Sequence, residues 1–502
     1  MHSSTAATNP VRCRPMASIR TRLRELELAT RPEHPDLSAA LAARWAQLPA
    51  HVKQPNQMLG RRMTGCEGTH GVFPRCNLAC TPCYHAKEAQ RVRTDGDHTE
   101  REVDRQMALL RELRGPGQHA QLIGGEVTLL GAEDHARALQ AMIRHGRKPM
   151  SMTHGDFDYD YLEALALDPQ TGRPRFDHLA FAGHFDSLMF GRRGIKRARS
   201  EADLHPHRAA FCAMFERLER EHGVTSYLAH NMTVTPRNID EIPDVLRAAR
   251  DMGFRMFSFQ PAAYIGNEAR WKDDLRAFST DEVWRRIERG AGARLHFRAE
   301  QVGDVRCNRT AHGLFVGDRY ATLLHEDDPR DAQALEDFIV AFGGMDFGDP
   351  RRGLVAARAA RAIARHPAVL RSGAAWAARL LRRLGGLRAI RRDAPRAVTY
   401  VMHAFMDARD VKPAWEQLQR GELSDDPRVR ATQERLQACS YAMAHPESGT
   451  LVPACAQHSV LDPLENLRLA QLLPAHPPVP APDTAADAGD DGASAIGGRT
   501  PW

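Results

Sequence analysis

Cys76-Asn77-Leu78-Ala79-Cys80-Thr81-Pro82-Cys83-Tyr84 sets three thiols at C-x3-C-x2-C spacing. Soft thiolates in such a loop suit zinc or an iron–sulfur cluster. Three of them can hold three irons of a [4Fe–4S] cube and leave the fourth iron open to a substrate or cofactor. A closed structural zinc site wants a fourth ligand. His85 stands only two residues after Cys83, poor geometry for that role, so His70 or a distant residue would have to serve. Four further cysteines, Cys66, Cys307, Cys439 and Cys455, could hold a second cluster. The turn signal Pro446-Glu447-Ser448-Gly449 could bring Cys439 and Cys455 together. The alternative is buried free thiols, because cysteine is among the most buried residue types. Cys13 and Cys212 read as unligated, with Cys212 in the core of an amphipathic helix.

The elements that must position these residues alternate. Gly71-Val72-Phe73 reads as a strand before the cysteines, and Thr99 with Glu102 as a capping box that starts a helix. Leu122-Ile123 is a second strand, ending in Gly124-Gly125-Glu126; a helix over 133–145 follows, with Gly146 as its stop. Strands over 149–153, 179–182, 226–234 and 255–260 come next. Helices over 207–222 and 238–252 lie between them, and Ser279 with Glu282 opens another. Strands alternating with helices predict a mostly parallel, curved sheet, that is, an α/β partial barrel. The alternation fades after about residue 295, and the C-terminal part reads as a mostly helical extension. The divisions are an N-terminal extension (1–60), a core (61–295), a connecting segment (296–350), a basic segment (351–396), a compact segment (397–473) and a disordered tail (474–502).

The cysteine loop after a first strand, with Gly124-Gly125-Glu126-Val127-Thr128 after the second, resembles the radical S-adenosylmethionine (SAM) superfamily. The resemblance covers roughly residues 66–270 and implies a partial (βα)6 barrel. It implies that Cys76, Cys80 and Cys83 hold a [4Fe–4S] cluster whose open iron chelates SAM. One electron from a donor such as flavodoxin or ferredoxin then cleaves SAM, and a 5′-deoxyadenosyl radical abstracts a substrate hydrogen. Gly124, Gly125 and Glu126 would receive the ammonium group of SAM. Tyr84 would contact adenine, since Pro82 stands where many members carry an aromatic. Asp186 and Ser187 at the fourth strand end would meet the SAM ribose or carboxylate, and Asn238 matches a fifth-strand motif with Thr233-Val234-Thr235. Thr153-His154-Gly155 stands where many members have Thr-Asn-Gly. For Asp186-Ser187, for the Asn238 motif and for Thr153-His154-Gly155 the other reading is a turn or cap. His184 lies beside the same mouth, where a histidine could handle protons.

The C-terminal half resembles radical SAM enzymes related to archaeal tetraether lipid synthase, through Cys307, Met402–Asp407 and the run from Cys439 to Cys455. In that family such cysteines ligate an extra cluster, which implies a second [4Fe–4S] cluster and a lipidic substrate. The competing resemblance is to peptide-modifying radical SAM enzymes, but their run of closely spaced cysteines is missing. Outside the enzyme class, a non-catalytic metal-binding protein fits the thiols alone.

Composition sets the surroundings. The net charge of +6 is concentrated: residues 351–396 hold 13 Arg against one Asp, so the remainder is slightly acidic. Arg358, Arg361, Arg365, Arg379, Arg382 and Arg383 alternate with apolar residues and Trp376. Such a segment reads as a solvated helical surface or as one lying on an anionic membrane. Nucleic acid is the weakest partner, because few aromatics are interleaved to stack bases. Nine cysteines, an odd number at low density with three of them within eight residues, do not suit a secreted disulfide framework and suit a reducing cytosol. Residues 1–17 show no apolar signal region, and no stretch approaches the roughly 18 apolar residues of a spanning helix. The expectation is a cytoplasmic protein, peripheral at the inner membrane face if the arginines bind lipid.

Overall fold

Six strands follow one another in space as they do in sequence: β1 (Cys66–Gly68), β2 (His119–Leu122), β3 (Lys148–Thr153), β4 (His178–His184), β5 (Thr225–Val234) and β6 (Met256–Pro261). Every neighbouring pair is parallel. Between β2 and β6 the connections run through helices, among them Ala132–Arg144, Tyr159–Ala166, His205–His222 and Ile242–Met252, as parallel pairing requires. The computed structural model describes residues 19–85, 87–266, 277–349 and 351–475. Over these the protein is an α/β partial barrel, a curled parallel sheet with a largely helical C-terminal extension.

That extension also lengthens the sheet on both margins. On one side β9 (Arg396–His403) pairs parallel with β6, followed by the antiparallel strands β7 (Asn308–Val316) and β8 (Arg319–Thr322). On the other, β10 (Tyr441–His445) pairs parallel with β1, and β11 (Thr450–Pro453) pairs antiparallel with β10. The hairpin between β10 and β11 is the turn expected at Pro446–Gly449.

Two local readings change. Gly71-Val72-Phe73 is not a strand; the strand is Cys66-Glu67-Gly68. Val72 and Phe73 are apolar because they plug the core, at 2% and 0% exposure. Hydropathy hides the true strand, since its central Glu67 is fully buried against the Arg147 guanidinium at 2.8 Å. The helix expected to start at Thr99 begins at Gly96, capped by Asp95, which accepts from the His98 N–H at 2.9 Å. Thr99 instead lies in the first turn and donates to the Val72 carbonyl. The Ser279–Glu282 capping box is present.

The core packs aromatics between the sheet and its helices, with Phe181, Phe185, Phe211, Phe215, Phe254 and Phe257 all at 0–1% exposure. Burying such rings is the dominant favourable term in a sheet–helix layer. The basic segment forms three helices, Arg352–Arg365, Ala368–Arg383 and Gly386–Arg392. Many of its charges are used internally. Arg379 and Arg383 clamp the buried Asp331 at 2.7 and 2.6 Å, Arg358 pairs with Asp349, and Arg361 with Glu27. Arg371, Arg388 and Arg391 remain exposed beside the exposed Leu370 and Leu387. No described helix is long and apolar enough to cross a membrane. The disorder expected at the two termini falls on residues 1–18 and 476–502, outside the described residues; Pro474 and Ala475 pair with Val92 and Arg91.

Candidate metal centre

Inside the curled sheet lies a cavity of about 260 Å³. Strand after strand contributes to its wall: Gln121 from β2, Met152 from β3, His184 from β4, Thr233 from β5, Gln260 from β6 and His403 from β9. Seven cysteines face it, namely Cys76, Cys80 and Cys83 together with Cys66, Cys307, Cys439 and Cys455. No disulfide joins any of the described cysteines. Cys212 points into the apolar core, and Cys13 lies outside the described residues.

The three-cysteine loop is held at both ends. Ala79 and Cys80 form a short antiparallel pair with Phe190 and Met189, and the Thr81 N–H donates to the Leu188 carbonyl. On the upstream side the loop leans on the glycines. The N–H groups of Gly125 and Glu126 donate to the carbonyls of Phe73 and Arg75 at 2.7 and 2.9 Å. A Cβ on Gly125 would stand 2.0 Å from the Arg75 carbonyl oxygen, and one on Gly124 would stand 2.6 Å from the Phe73 ring. These residues are glycine because two backbones touch there. Burial pushes the Cys76 thiol up to about 11, the neighbouring Glu126 and Cys83 add to it, and the Leu78 N–H opposes it.

The other four thiols come from both margins of the sheet. Cys66 opens β1, and the parallel register places Cys66 beside Tyr441, two residues after Cys439. Cys455 follows β11 directly. Cys307 precedes β7 on the opposite margin, and its thiol accepts from the Arg435 Nε at 2.9 Å. Arg435 sits on the helix Pro427–Gln437 that leads straight into Cys439, so one side chain ties the two margins together. Burial pushes Cys66 and Cys307 up to about 11 and raises Cys439 and Cys455 as well. Cys439 lies close enough to the other three that its charge raises each of them further.

The remaining sequence-derived site residues divide. Tyr84, Gly124, Gly125 and Glu126 line the cavity. Tyr84 packs on His85 and His458, with ring centroids 4.4 and 4.6 Å away. The Gly124 carbonyl accepts from His85 Nε2 and, at 3.4 Å, from the Tyr84 hydroxyl. Glu126 is 1% exposed. Its Oε1 accepts from the Thr128 N–H and hydroxyl and from the Thr153 hydroxyl, and its Oε2 from the His154 N–H. Glu126 thus braces the β2 and β3 ends while lining the cavity, and Oε2, with one donor, keeps room for another.

Asp186, Ser187 and Asn238 do not line the cavity. Buried Asp186 accepts from the Thr233 and Leu188 N–H groups and bonds His184 Nε2 at 2.7 Å. The Ser187 N–H donates to Glu201. The Asn238 amide bridges Glu201, the Thr233 carbonyl and the Thr235 N–H, a turn role in place of a cofactor contact. The polar group that does reach the cavity from this region is His184, which Asp186 orients. His154, in the Thr153-His154-Gly155 turn, also lines the wall, as do Arg435 and His458, to which no spacing rule in the sequence points.

The two histidines suggested as zinc ligands are placed by the structure. A zinc site on the three-cysteine loop lacks its suggested histidines. His85 is spent on the Gly124 carbonyl, and His70 turns away from the cavity to Glu465 and the Ala444 carbonyl. Three thiols with no fourth protein ligand from the candidates fit a cluster with one open iron, and four thiols from two sheet margins fit a closed one. Buried thiols with raised pKa values become thiolates on binding a cation.

No family model matches the chain, and no curated protein matches it in sequence. Among solved structures, SuiB of Streptococcus suis aligns over 44% of this chain and 45% of its own at 16% identity, with a TM-score of 0.31. Native anSMEcpe with bound AdoMet aligns over 40% and 51% at 14% identity, with a TM-score of 0.27. TYW1 with a lysine-pyruvate adduct aligns over 50% and 80% at 9% identity, with a TM-score of 0.30. The match spans about half the length of SuiB and of anSMEcpe. At these TM-scores the likenesses assign no function to this chain.

Proposed function

We propose that this chain is a radical SAM enzyme with two iron–sulfur clusters. The observation that supports it is the convergence of seven thiols from distant parts of the chain on one cavity inside a curled parallel sheet. Cys76, Cys80 and Cys83 would hold a [4Fe–4S] cluster that binds SAM, and Cys66, Cys307, Cys439 and Cys455 a second one. When bound, the first cluster and SAM supply one-electron cleavage that yields a hydrogen-abstracting 5′-deoxyadenosyl radical. The protein's share is orientation and exclusion of water. The Glu126 hydrogen bonds fix the strand ends, the Asp186–His184 pair presents an imidazole to the cavity, and Tyr84 walls the cysteine loop. Met150, Met152, Met189, Met256 and Ile265 give the cavity an apolar lining suited to the C–H bond of a lipidic substrate. The exposed Arg371, Arg388 and Arg391 beside Leu370 and Leu387 suit contact with an anionic membrane carrying it. A reduced carrier of the flavodoxin or ferredoxin kind would supply the electron.

Anaerobic reconstitution with iron and sulfide tests the reading. The expected product is a brown protein with about eight irons per chain that forms 5′-deoxyadenosine from SAM and a reductant. Bound zinc with no SAM cleavage overturns it. Deuterium passing into 5′-deoxyadenosine from a perdeuterated membrane lipid extract supports the lipid substrate; transfer from a deuterated peptide alone overturns that part.

A further inference from the structure

Outside the cavity, three side chains converge from parts of the chain far apart in sequence. His70 lies just after β1, His445 ends β10, and Glu465 projects from the helix Asp462–Leu472. One nitrogen of each imidazole and one carboxylate oxygen lie within 4.8 Å of one another. The side chains are 9%, 12% and 21% exposed, so the group is sheltered but reachable.

The hydrogen bonds around them decide which atoms can ligate. Gln457 is fully buried, and its Nε2 faces both Asp462 Oδ1 at 2.8 Å and Glu465 Oε2 at 3.0 Å. Two carboxylates on one side require the amide NH2 there, so Gln457 Oε1 faces His445 Nε2 and accepts its proton at 2.6 Å. His445 Nδ1 then carries a lone pair and stands 3.7 Å from Glu465 Oε1. His70 differs: Nε2 donates to the Ala444 carbonyl at 2.8 Å, and Nδ1 donates to Glu465 Oε2 at 2.8 Å. A divalent cation taking the place of the His70 Nδ1 proton would have two imidazole nitrogens and a carboxylate within 4.8 Å of one another to draw on. Protons on both Nδ1 atoms would stack two imidazolium rings with centroids 4.0 Å apart, a like-charge contact. One divalent cation satisfies all three groups. Ligating histidines characteristically donate the other ring N–H to a carbonyl or carboxylate, as both do here.

We propose that His70, His445 and Glu465 form a second metal site, separate from the thiols, that takes zinc or a similar divalent ion through two Nδ1 atoms and a carboxylate, with water in the fourth position. Zinc holds nitrogen and oxygen at about 2.0–2.2 Å, so the His445 ring must turn out of its stack on His70 and close on Glu465. The ion would pin the C-terminal helix to β10 and to the loop after β1, and so hold the sheet margin that carries Cys439 and Cys455. The imidazole-rich donor set selects zinc over magnesium or calcium.

The test uses full-length protein with its iron reconstituted, incubated with zinc alone and then desalted. The expected result is one retained zinc per chain, lost in both His445→Ala and Glu465→Gln with iron unchanged. The Glu465→Gln variant preserves side-chain shape, so it remains informative if His445→Ala folds poorly. Zinc X-ray absorption should show a nitrogen and oxygen shell without sulfur. No retained zinc in the wild type, equal zinc in Glu465→Gln, or a sulfur shell overturns the proposal.

Discussion

Replacing Gly125 with alanine probes how the cysteine loop is held. The added Cβ would lie 2.0 Å from the Arg75 carbonyl oxygen and 2.3 Å from the Pro74 carbonyl oxygen, and neither is a flexible side-chain end. Reaching ordinary contact at about 3.4 Å means parting two backbones by about 1.4 Å. The bonds from the Gly125 and Glu126 N–H groups to Phe73 and Arg75, 2.7 and 2.9 Å long, then stretch beyond hydrogen-bonding range. Two orphaned buried donors cost about 2–6 kcal/mol. The displacement passes directly to Cys76, the residue after Arg75. The Gly125→Ala protein should therefore melt at lower temperature, bind about four fewer irons per chain, and form no 5′-deoxyadenosine. Gly131→Ala is the control, because a Cβ there meets only Asp134 Oδ2 at 3.9 Å, and Gly131 has φ −61°. Wild-type iron content and melting temperature in Gly125→Ala would refute the reasoning.

Cys455→Ser should lower iron by about four per chain while leaving the first cluster's electron paramagnetic resonance signal, whereas Cys80→Ala should remove SAM cleavage; unchanged iron in Cys455→Ser rules out the second cluster. His135 is fully buried between Tyr161 and Ser151, and burial depresses it to about 3. Below about pH 6.5 the unfolded chain binds a proton that the native state refuses, so stability falls with falling pH by about 1.4 kcal/mol per unit. Urea unfolding at pH 7 and 5 should show His135→Gln losing about 2 kcal/mol less than wild type; equal losses would show that His135 is not the cause. Charge reversal at the exposed Arg388 and Arg391 should weaken co-sedimentation with anionic vesicles while leaving the buried Arg379–Asp331 pair intact; equal sedimentation of the variant and wild type ends the membrane reading.

Periodicity and glycine placement carry the strands β2 to β6 and most of the helices between them, because each is a local pattern of burial. The cysteine loop is equally legible, since three thiols within one short loop need no long-range folding to come together. The strand Cys66–Gly68 was illegible because its buried centre is a glutamate, whose neutralising partner Arg147 lies far along the chain. The roles of Asp186, Asn238 and Glu126 were illegible for a related reason. A polar residue at a strand end reads the same whether it faces a ligand or bonds its neighbours, and here Glu126 does both, lining the cavity while Thr128, Thr153 and His154 bond its carboxylate. The sheet margins belong wholly to the tertiary structure. Only parallel pairing of β10 with β1, and of β9 with β6, carries Cys439, Cys455 and Cys307 to the cavity that Cys76, Cys80 and Cys83 already line. Residue type and spacing thus determine which chemistry the chain can do, because ligand softness is a property of the side chain. Which thiols share a site, and which histidines face a carboxylate, follow from strand register, which sets contacts between residues hundreds of positions apart.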